Sequence, residues 1–390
     1  VLLATLFALV TATTGILAFA LGNAGALATS AARNAISSAD PAEAGVRAQT
    51  RLGPEAEAQD TLARERLTEG FAPAPITIWT TFLSEARPAA TANGALRERL
   101  ILWAGSHLGP DVAEVEGDWP QSPGEAALHS EAAARLGIEP GSTLTVDDHE
   151  LTVTALWRPQ DLTAPEWFDE PLATHGVDGV HLGPLVVDRS VLTGGQPFVR
   201  WGVVPDTQRI TPEQLGNLAD GAERAKALVE DADVTGRGIT TEGDLDATAI
   251  RAAHELAVAE AFGFVPVSLL LLVAVVGLVQ VARLLAATRE RELHLLFARG
   301  SSPRQVVAVG AAEALVVAAL GATVGTGLAA VAVRLVAGSW RHTPTVVTGG
   351  LISLGIAVLC LVGVAVHAIV QAARGGQPRS DRVKAVAGAA

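Results

Sequence analysis

The chain has 390 residues, of which 49% are hydrophobic and 18% charged. That is too apolar for an ordinary water-soluble domain and too charged for a chain wholly buried in lipid, so a membrane part and a water-facing part are expected. The formal net charge is −13, and it is unevenly placed: residues 33–260 carry 37 acidic and 17 basic side chains, the remainder 4 acidic and 11 basic. So acidic a segment argues against nucleic acid as a partner. The single cysteine, Cys360, excludes an intrachain disulfide and a thiolate cluster for a metal. Met is absent, position 1 included, so either Val1 is not the natural start or translation begins at a non-standard codon, and in both cases a short basic cytoplasmic leader is expected before it.

Residues 1–32 carry no charge, and Leu2, Leu3, Leu6, Phe7, Leu9, Val10, Ile16, Leu17 and Phe19 supply an apolar surface. This predicts a first membrane helix. A cleavable signal peptide is the competing reading, because the run ALATSA resembles a cleavage site, although the apolar stretch is unusually long for one. Gly15, Gly22 and Gly25 would let another helix approach closely.

Residues 33–260 read as a mixed α+β water-facing domain, long enough for a sizeable core. It opens with a polar tract, Pro41 to Glu69, rich in Ala, Glu and Arg, which predicts helix interrupted at Gly53-Pro54. Period-2 segments follow at 76–82, 99–105, 143–147, 150–157, 184–188 and 198–204, bounded by Gly, Pro and Asp, and these predict strands. Glu131 to Gly137 reads as a short helix with a glycine stop. Thr211-Pro212-Glu213-Gln214 is a cap, a first-position proline and a capping box, opening a helix to about Asp231. Trp79, Trp103, Trp157 and Trp201 fall in the predicted strands and are expected in the core, with a ligand-stacking surface as the alternative. Asp147, Asp148, His149 and Glu150 are placed for a cation, but they sit in a predicted hairpin turn and are read as a solvated turn. His254-Glu255 begins like a zinc-protease helix, yet Val258 stands where the second His is needed.

Asp244 to Phe262 carries a helical apolar pattern toward the membrane without a Pro or Gly break. From Phe262 to Gln280 no residue is ionisable, enough for one helix to cross a hydrocarbon core of about 30 Å at about 1.5 Å per residue. Residues 261–285 are the expected second span. In 286–302, Arg289, Arg291 and Arg299, with Arg283 and Arg304 beside them, outnumber Glu290 and Glu292. Short Arg-rich loops stay on the cytoplasmic side. Leu284, Leu285, Leu293, Leu296 and Phe297 leave a charged patch at Arg289 to Glu292, the pattern of a helix lying partly on the bilayer surface; a solvated inside loop is the plain alternative. Gly300 can close one helix, and Ser302, Pro303 and Gln305 can open the next.

Residues 303–336 are the third span and contain Glu313, roughly 15 Å along the axis from its start. A carboxyl at that depth faces other helices or water; it is either a hinge or relay group or a structural acid bonded to a polar neighbour, and the residues favour the second. Gly321 and Gly325 form a small-xxx-small pair. Residues 337–345 make a short outside turn with Trp340 near the interface, 346–371 the fourth span with Gly355 and Gly363 on nearly one face, and 372–390 a basic tail. One topology satisfies these loops: amino end in, large domain out, Arg segment in, carboxyl end in.

The segment ARLLAATRERELHLLFARGSSPRQVVAVGAAEALVV resembles the signature region of the FtsX-like permeases, membrane subunits of the macrolide-exporter (type VII) class of ABC transporters. The resemblance rests on an Arg/Glu-rich run (Arg289, Glu290, Arg291, Glu292), a turn from Leu295 and Leu296 through Arg299 to Gly300, and a Glu-Ala-Leu at Glu313 to Leu315. Residues 117–157, with Gly-Asp-Trp-Pro, Gly-Glu and Gly-Ser-Thr-Leu, are similar to the small β-rich module of macrolide-exporter-type ectodomains. The resemblance implies a non-catalytic four-span subunit in the plasma (inner) membrane whose segment 289–300 meets a cytoplasmic ATPase dimer. ATP and Mg would bind that partner, with no cofactor on this chain. It also implies either a homodimer or pairing with a second permease half of a longer duplicated chain, in contact with membrane lipid. The roles known for such permeases are export, lipid or lipoprotein extraction, and mechanotransmission.

The sequence itself carries no Gly-rich loop ending Gly-Lys-Ser/Thr, since its only lysines are Lys226 and Lys384. It also lacks a Gly-x-Ser-x-Gly elbow. The alternative reading is an ATPase-independent membrane-anchored sensor or scaffold with a ligand- or partner-binding ectodomain.

Overall fold

The computed structural model describes residues 2–105, 107–111, 113–192, 195–231, 238–298, 303–338 and 340–375. In chain order the elements are α1 (Leu2–Ser37), β1 (Val46–Arg51), α2 (Ala56–Phe71), β2 (Ile76–Leu83), β3 (Arg87–Thr91), β4 (Gly94–Gly105), β5 (Ala113–Gly117) and β6 (Glu125–His129). Next come α3 (Ser130–Leu136), β7 (Thr143–Val146), β8 (His149–Pro159), α4 (Pro171–His175), β9 (Val177–Asp178), β10 (His181–Val187) and β11 (Phe198–Pro205). The chain closes with α5 (Leu215–Asp231), β12 (Ile239–Glu242), α6 (Leu245–Ala298), α7 (Pro303–Ala337) and α8 (Thr343–Gly375). Two compact units result: a sheet-rich one, Thr29–Ala257, and a helical one formed by Val1–Ala28 with Val258–Ala390.

Among the described residues the sheet-rich unit holds twelve strands in one sheet. Six of them close on themselves: β4 pairs β3, β3 pairs β7, β7 pairs β8, β8 pairs β6, β6 pairs β10, and β10 returns to β4. Closure removes the open edges that a flat sheet leaves unpaired. A wing, β2-β11-β1-β12, continues antiparallel from β4.

Side-chain alternation then sorts the core. On β4, β6 and β10, residues Leu102, Ala126, Leu128, Leu185 and Val187 enter the main cluster, while Trp103, Ala127 and Val186 between them enter a second one. On β8 the pairing with β6 slips between Ala126 and Ala127, leaving Thr154 as an extra residue. That bulge reverses the facing, so Leu151 and Val153 join the main cluster and Ala155 and Trp157 the second. The wing is covered by α2 and α5, which approach closely because Gly70 lies against Ala225 and Gly221 against Phe71.

Each of the six segments read as strands from period-2 patterning falls on a strand. The tract Pro41 to Glu69 is corrected: its first half holds β1, and only the second half, from Ala56, is helix. In β1 the buried positions Val46, Ala48 and Thr50 alternate with Arg47 and Gln49, but two of those three are too small or polar for the period to stand out. The short helix appears as α3, ending at Gly137 in the left-handed conformation with φ 64°. The Thr211–Gln214 capping box is present, with Pro212 at the first position.

Among the described residues four helices are long and apolar enough to cross a membrane, over Leu3–Ser37, Val267–Leu284, Ala311–Ala337 and Thr343–His367. Four candidate spans with a large α+β domain between the first and second is the fold class read from the sequence. Within the helical unit α1 and α7 touch at glycines: a Cβ on Gly325 would stand 2.5 Å from the Thr11 carbonyl oxygen, and one on Gly321 3.1 Å from that of Phe7. Gly22 is enclosed by Val333 and Val346. Thr14 Oγ1 and Ser353 Oγ share a buried 2.8 Å hydrogen bond between α1 and α8. Among the described residues, by contrast, nothing outside their own helix backbone comes within 4 Å of where a Cβ on Gly355 or Gly363 would stand.

Candidate functional site

The Arg-rich segment begins on a long continuous helix. Arg289, Glu290, Arg291, Glu292, Leu295 and Leu296 are backbone positions on α6, which runs from Leu245 to Ala298. Their side chains, and Arg299 and Gly300 altogether, lie outside the described residues, as do Ser302 and the side chains of Arg304 and Gln305. Helix α7 starts at Pro303. Glu313 lies on α7, exposed, next to the buried stripe of Ala314, Ala318 and Ala322.

The sheet-rich unit offers three polar constellations. In the first, Glu170, just before α4, accepts hydrogen bonds from Arg47 of β1 at 2.7 Å and from Arg200 of β11 at 2.9 Å. Arg47 also reaches Glu242 of β12 at 2.6 Å, and Arg200 donates to Gln49 at 2.9 Å. Burial holds the Arg200 guanidinium below the ordinary arginine value, against the upward pull of Glu170. With two arginines on one carboxylate this cluster ties three strands to the α4 segment, and every charge in it has a partner. In the second, Asp60 of α2 accepts from Trp201 Nε1 at 2.8 Å and from the Thr80 hydroxyl at 2.7 Å, fixing α2 to the wing.

The third is aromatic. Trp79, His107, Trp167 and Trp157 follow one another at ring-centroid distances of 6.2, 6.1 and 5.9 Å, and Trp157 also meets Trp119 at 6.4 Å and His129 at 5.4 Å. Nitrogens of Trp103, Trp157, Trp167, His107 and His129 are buried there without a hydrogen-bond partner among the described residues. Burial lowers the pKa of both histidines to about 4, so both rings are neutral near pH 7. Burial likewise raises the pKa of the Glu166 carboxyl beside Trp167.

An open pocket of about 280 Å³ lies between the end of α1 and the start of the α6 portion in this unit, lined by Ser38, Asp40, Glu43, Thr248, Arg251 and Glu255 among others. It brings together acids, one arginine and hydroxyls, and no nucleophile with a base. The Asp147–Glu150 group is a hairpin turn whose Asp147 carboxylate accepts from the buried Arg87. Among the described residues no group of three or more His, Cys, Asp or Glu is placed to hold a metal ion. Trp103, Trp157 and Trp201 are core residues, at most 3% exposed. Sequence reading missed the ion cluster and the two histidines; Glu170 stands far from Arg47 in the chain, and no local pattern announces their meeting.

Comparison with known proteins adds the following. A family model described as FtsX-like permease C-terminal matches residues 264–378. Among solved structures the chain is similar to the extracellular domain of a noncanonic ABC-type transporter, YknZ, from Gram-positive bacteria, with 11% identity, a TM-score of 0.30, and coverage of 51% of this chain and 100% of that one. No curated protein matches the chain. The matched family segment takes in the membrane part of α6, all of α7 and α8, and with them Arg289–Gly300 and Glu313. Residues 264–378 are thus similar to the C-terminal part of the FtsX-like permeases.

Proposed function

We propose that this chain is the permease subunit of an ABC transporter, coupled to a separate cytoplasmic ATPase. The observation that carries the reading is the family match over 264–378, which falls on three of the four apolar helices and on the Arg/Glu-rich segment between two of them. The excess of Arg over acids around 283–304 supports a cytoplasmic position for that segment. The sheet-rich unit, acidic and inserted between the first and second spans, then lies on the extracytoplasmic side, and the carboxyl end is cytoplasmic.

In this reading the ATPase presses on Arg289, Glu290, Arg291, Glu292, Leu295, Leu296, Arg299 and Gly300. ATP and Mg are bound and used by that partner. The push passes along α6, an uninterrupted helix whose residues Leu245–Ala257 belong to the sheet-rich unit and whose later residues belong to the helical one. Gly355 and Gly363, open on α8, suit a second permease half or a second copy. Export, lipid or lipoprotein extraction, and mechanotransmission are all outputs of such a stroke.

The test is a detergent pull-down of the full chain from its own cells, wild type against Arg289→Glu/Arg291→Glu/Arg299→Glu. Co-purification of an ATPase with wild type and its loss with the variant is the expected result. Failure to recover an ATPase in several detergents overturns the permease reading in favour of a membrane-anchored sensor or scaffold.

A further inference from the structure

His129 stands where two helix ends meet. It caps α3: its Nδ1 accepts the backbone N–H of Glu131 at 3.3 Å. From the other side comes α4, whose left-handed end residue Gly176 (φ 69°) lies so near that a Cβ there would be 2.4 Å from the same Nδ1. The residue is 1% exposed, and its ring meets Trp157 edge-on. Only a neutral imidazole can accept a hydrogen bond at Nδ1, because the imidazolium has N–H at both nitrogens.

We infer that His129 is an acid-sensitive latch: protonating its ring removes the cap of α3 and loosens the junction of β6, α3 and α4 from the Trp157–Trp167 cluster. The surroundings give a neutral ring little reason to charge. From its own segment it faces Glu131, through that residue's backbone N–H. From α4 it faces His175, whose charge opposes a second one, and the Ala173 carbonyl, which favours the charged form without completing a hydrogen bond to Nε2. From β8 it faces the uncharged Trp157.

Burial is the largest influence and brings the pKa down to about 4. The unfolded value is about 6.5, so the unfolded or opened state binds more protons between these two values. The latch is therefore fully in force above pH about 6.5, weakens as the pH falls, and has given up all of its contribution below about 4.

The experiment uses the full chain in lipid nanodiscs, brought from about pH 7 to about pH 4.5, with amide hydrogen exchange corrected for the intrinsic rate. Peptides covering Ser130–Gly137 are expected to lose protection by about tenfold or more, reversibly, while α5, capped by Thr211 and Gln214, keeps its own. His129→Asn retains a side-chain acceptor that does not titrate, and is expected to hold protection across the range. His107→Gln serves as the control and is expected to leave the loss at Ser130–Gly137 in place. Unchanged protection in wild type, the same loss in His129→Asn, or a loss abolished by His107→Gln alone overturns the inference. If His129→Asn does not fold, the imidazole resonance of His129 in wild type decides: titration coincident with the loss of protection supports the latch, and titration apart from it overturns it.

Discussion

The two units of this chain differ in where their largest side chains lie. In the sheet-rich unit the largest side chains are inside: Trp157, Trp201, Phe71, Leu67, Leu100, Leu102 and Leu128 are all under 2% exposed. In the helical unit the buried clusters mix alanines, Ala18, Ala282, Ala314, Ala318, Ala322, Ala329 and Ala357, with Leu6, Val10, Leu278, Val333, Val346 and Leu361, no aromatic ring is among these described residues, and Gly321 and Gly325 lie against α1. Many of its large residues face out, among them Leu269, Leu272, Val273, Leu320, Leu328, Leu351 and Leu359. Water drives bulky apolar groups into a core, whereas lipid tails offer Leu no worse a partner than another Leu, so helices there associate by close approach and shared hydrogen bonds. One chain thus records two solvents.

Four substitutions sharpen that contrast. Trp157→Ala removes a ring packed against Trp119, Trp167 and His129. It should cost about 3–5 kcal/mol and show as a lower midpoint for loss of the near-UV tryptophan signal in denaturant. Gly325→Leu pushes a side chain into the Thr11 carbonyl. A cost of about 1–3 kcal/mol is expected, read as earlier unfolding of the helical unit in an SDS titration. Ser353→Ala deletes the bond to Thr14 and should cost about 0.6 kcal/mol in the same titration. Leu272→Ala, on a side chain 60% exposed, should change stability by less than about 0.5 kcal/mol. A cost for Leu272→Ala matching that of Trp157→Ala would break the comparison, because it would place Leu272 in a core that water, not lipid, surrounds.

How much could be read beforehand follows from the same physics. Apolar runs and Arg placement are local, so the four spans, the cap at Thr211 and the glycine stop at Gly137 were visible residue by residue. Strands β2, β4, β8, β10 and β11 carry Ile, Val, Leu or Trp in alternation and were equally plain. Strands β3 (Arg-Pro-Ala-Ala-Thr) and β6 (Glu-Ala-Ala-Leu-His) carry alanines, which favour helix when alone; they are strands because β3 is held between β4 and β7, and β6 between β8 and β10. Ring closure rests on the parallel pairings β4–β10 and β6–β8, which join distant segments and leave no local trace. The same holds for His129. Nothing in Leu128-His129-Ser130 indicates that Trp157 and Gly176 will enclose the ring.

The central claim is that the sheet-rich unit and the Arg segment lie on opposite sides of the membrane, and single-cysteine labelling tests it most directly. With Cys360→Ala as background, Asp148→Cys sits in the exposed β7–β8 turn and Arg291→Cys in the Arg segment. A membrane-impermeant thiol reagent applied to intact cells or spheroplasts should label Asp148→Cys at once and Arg291→Cys only after permeabilisation. Labelling of both from the same side, or the reverse order, would contradict the account.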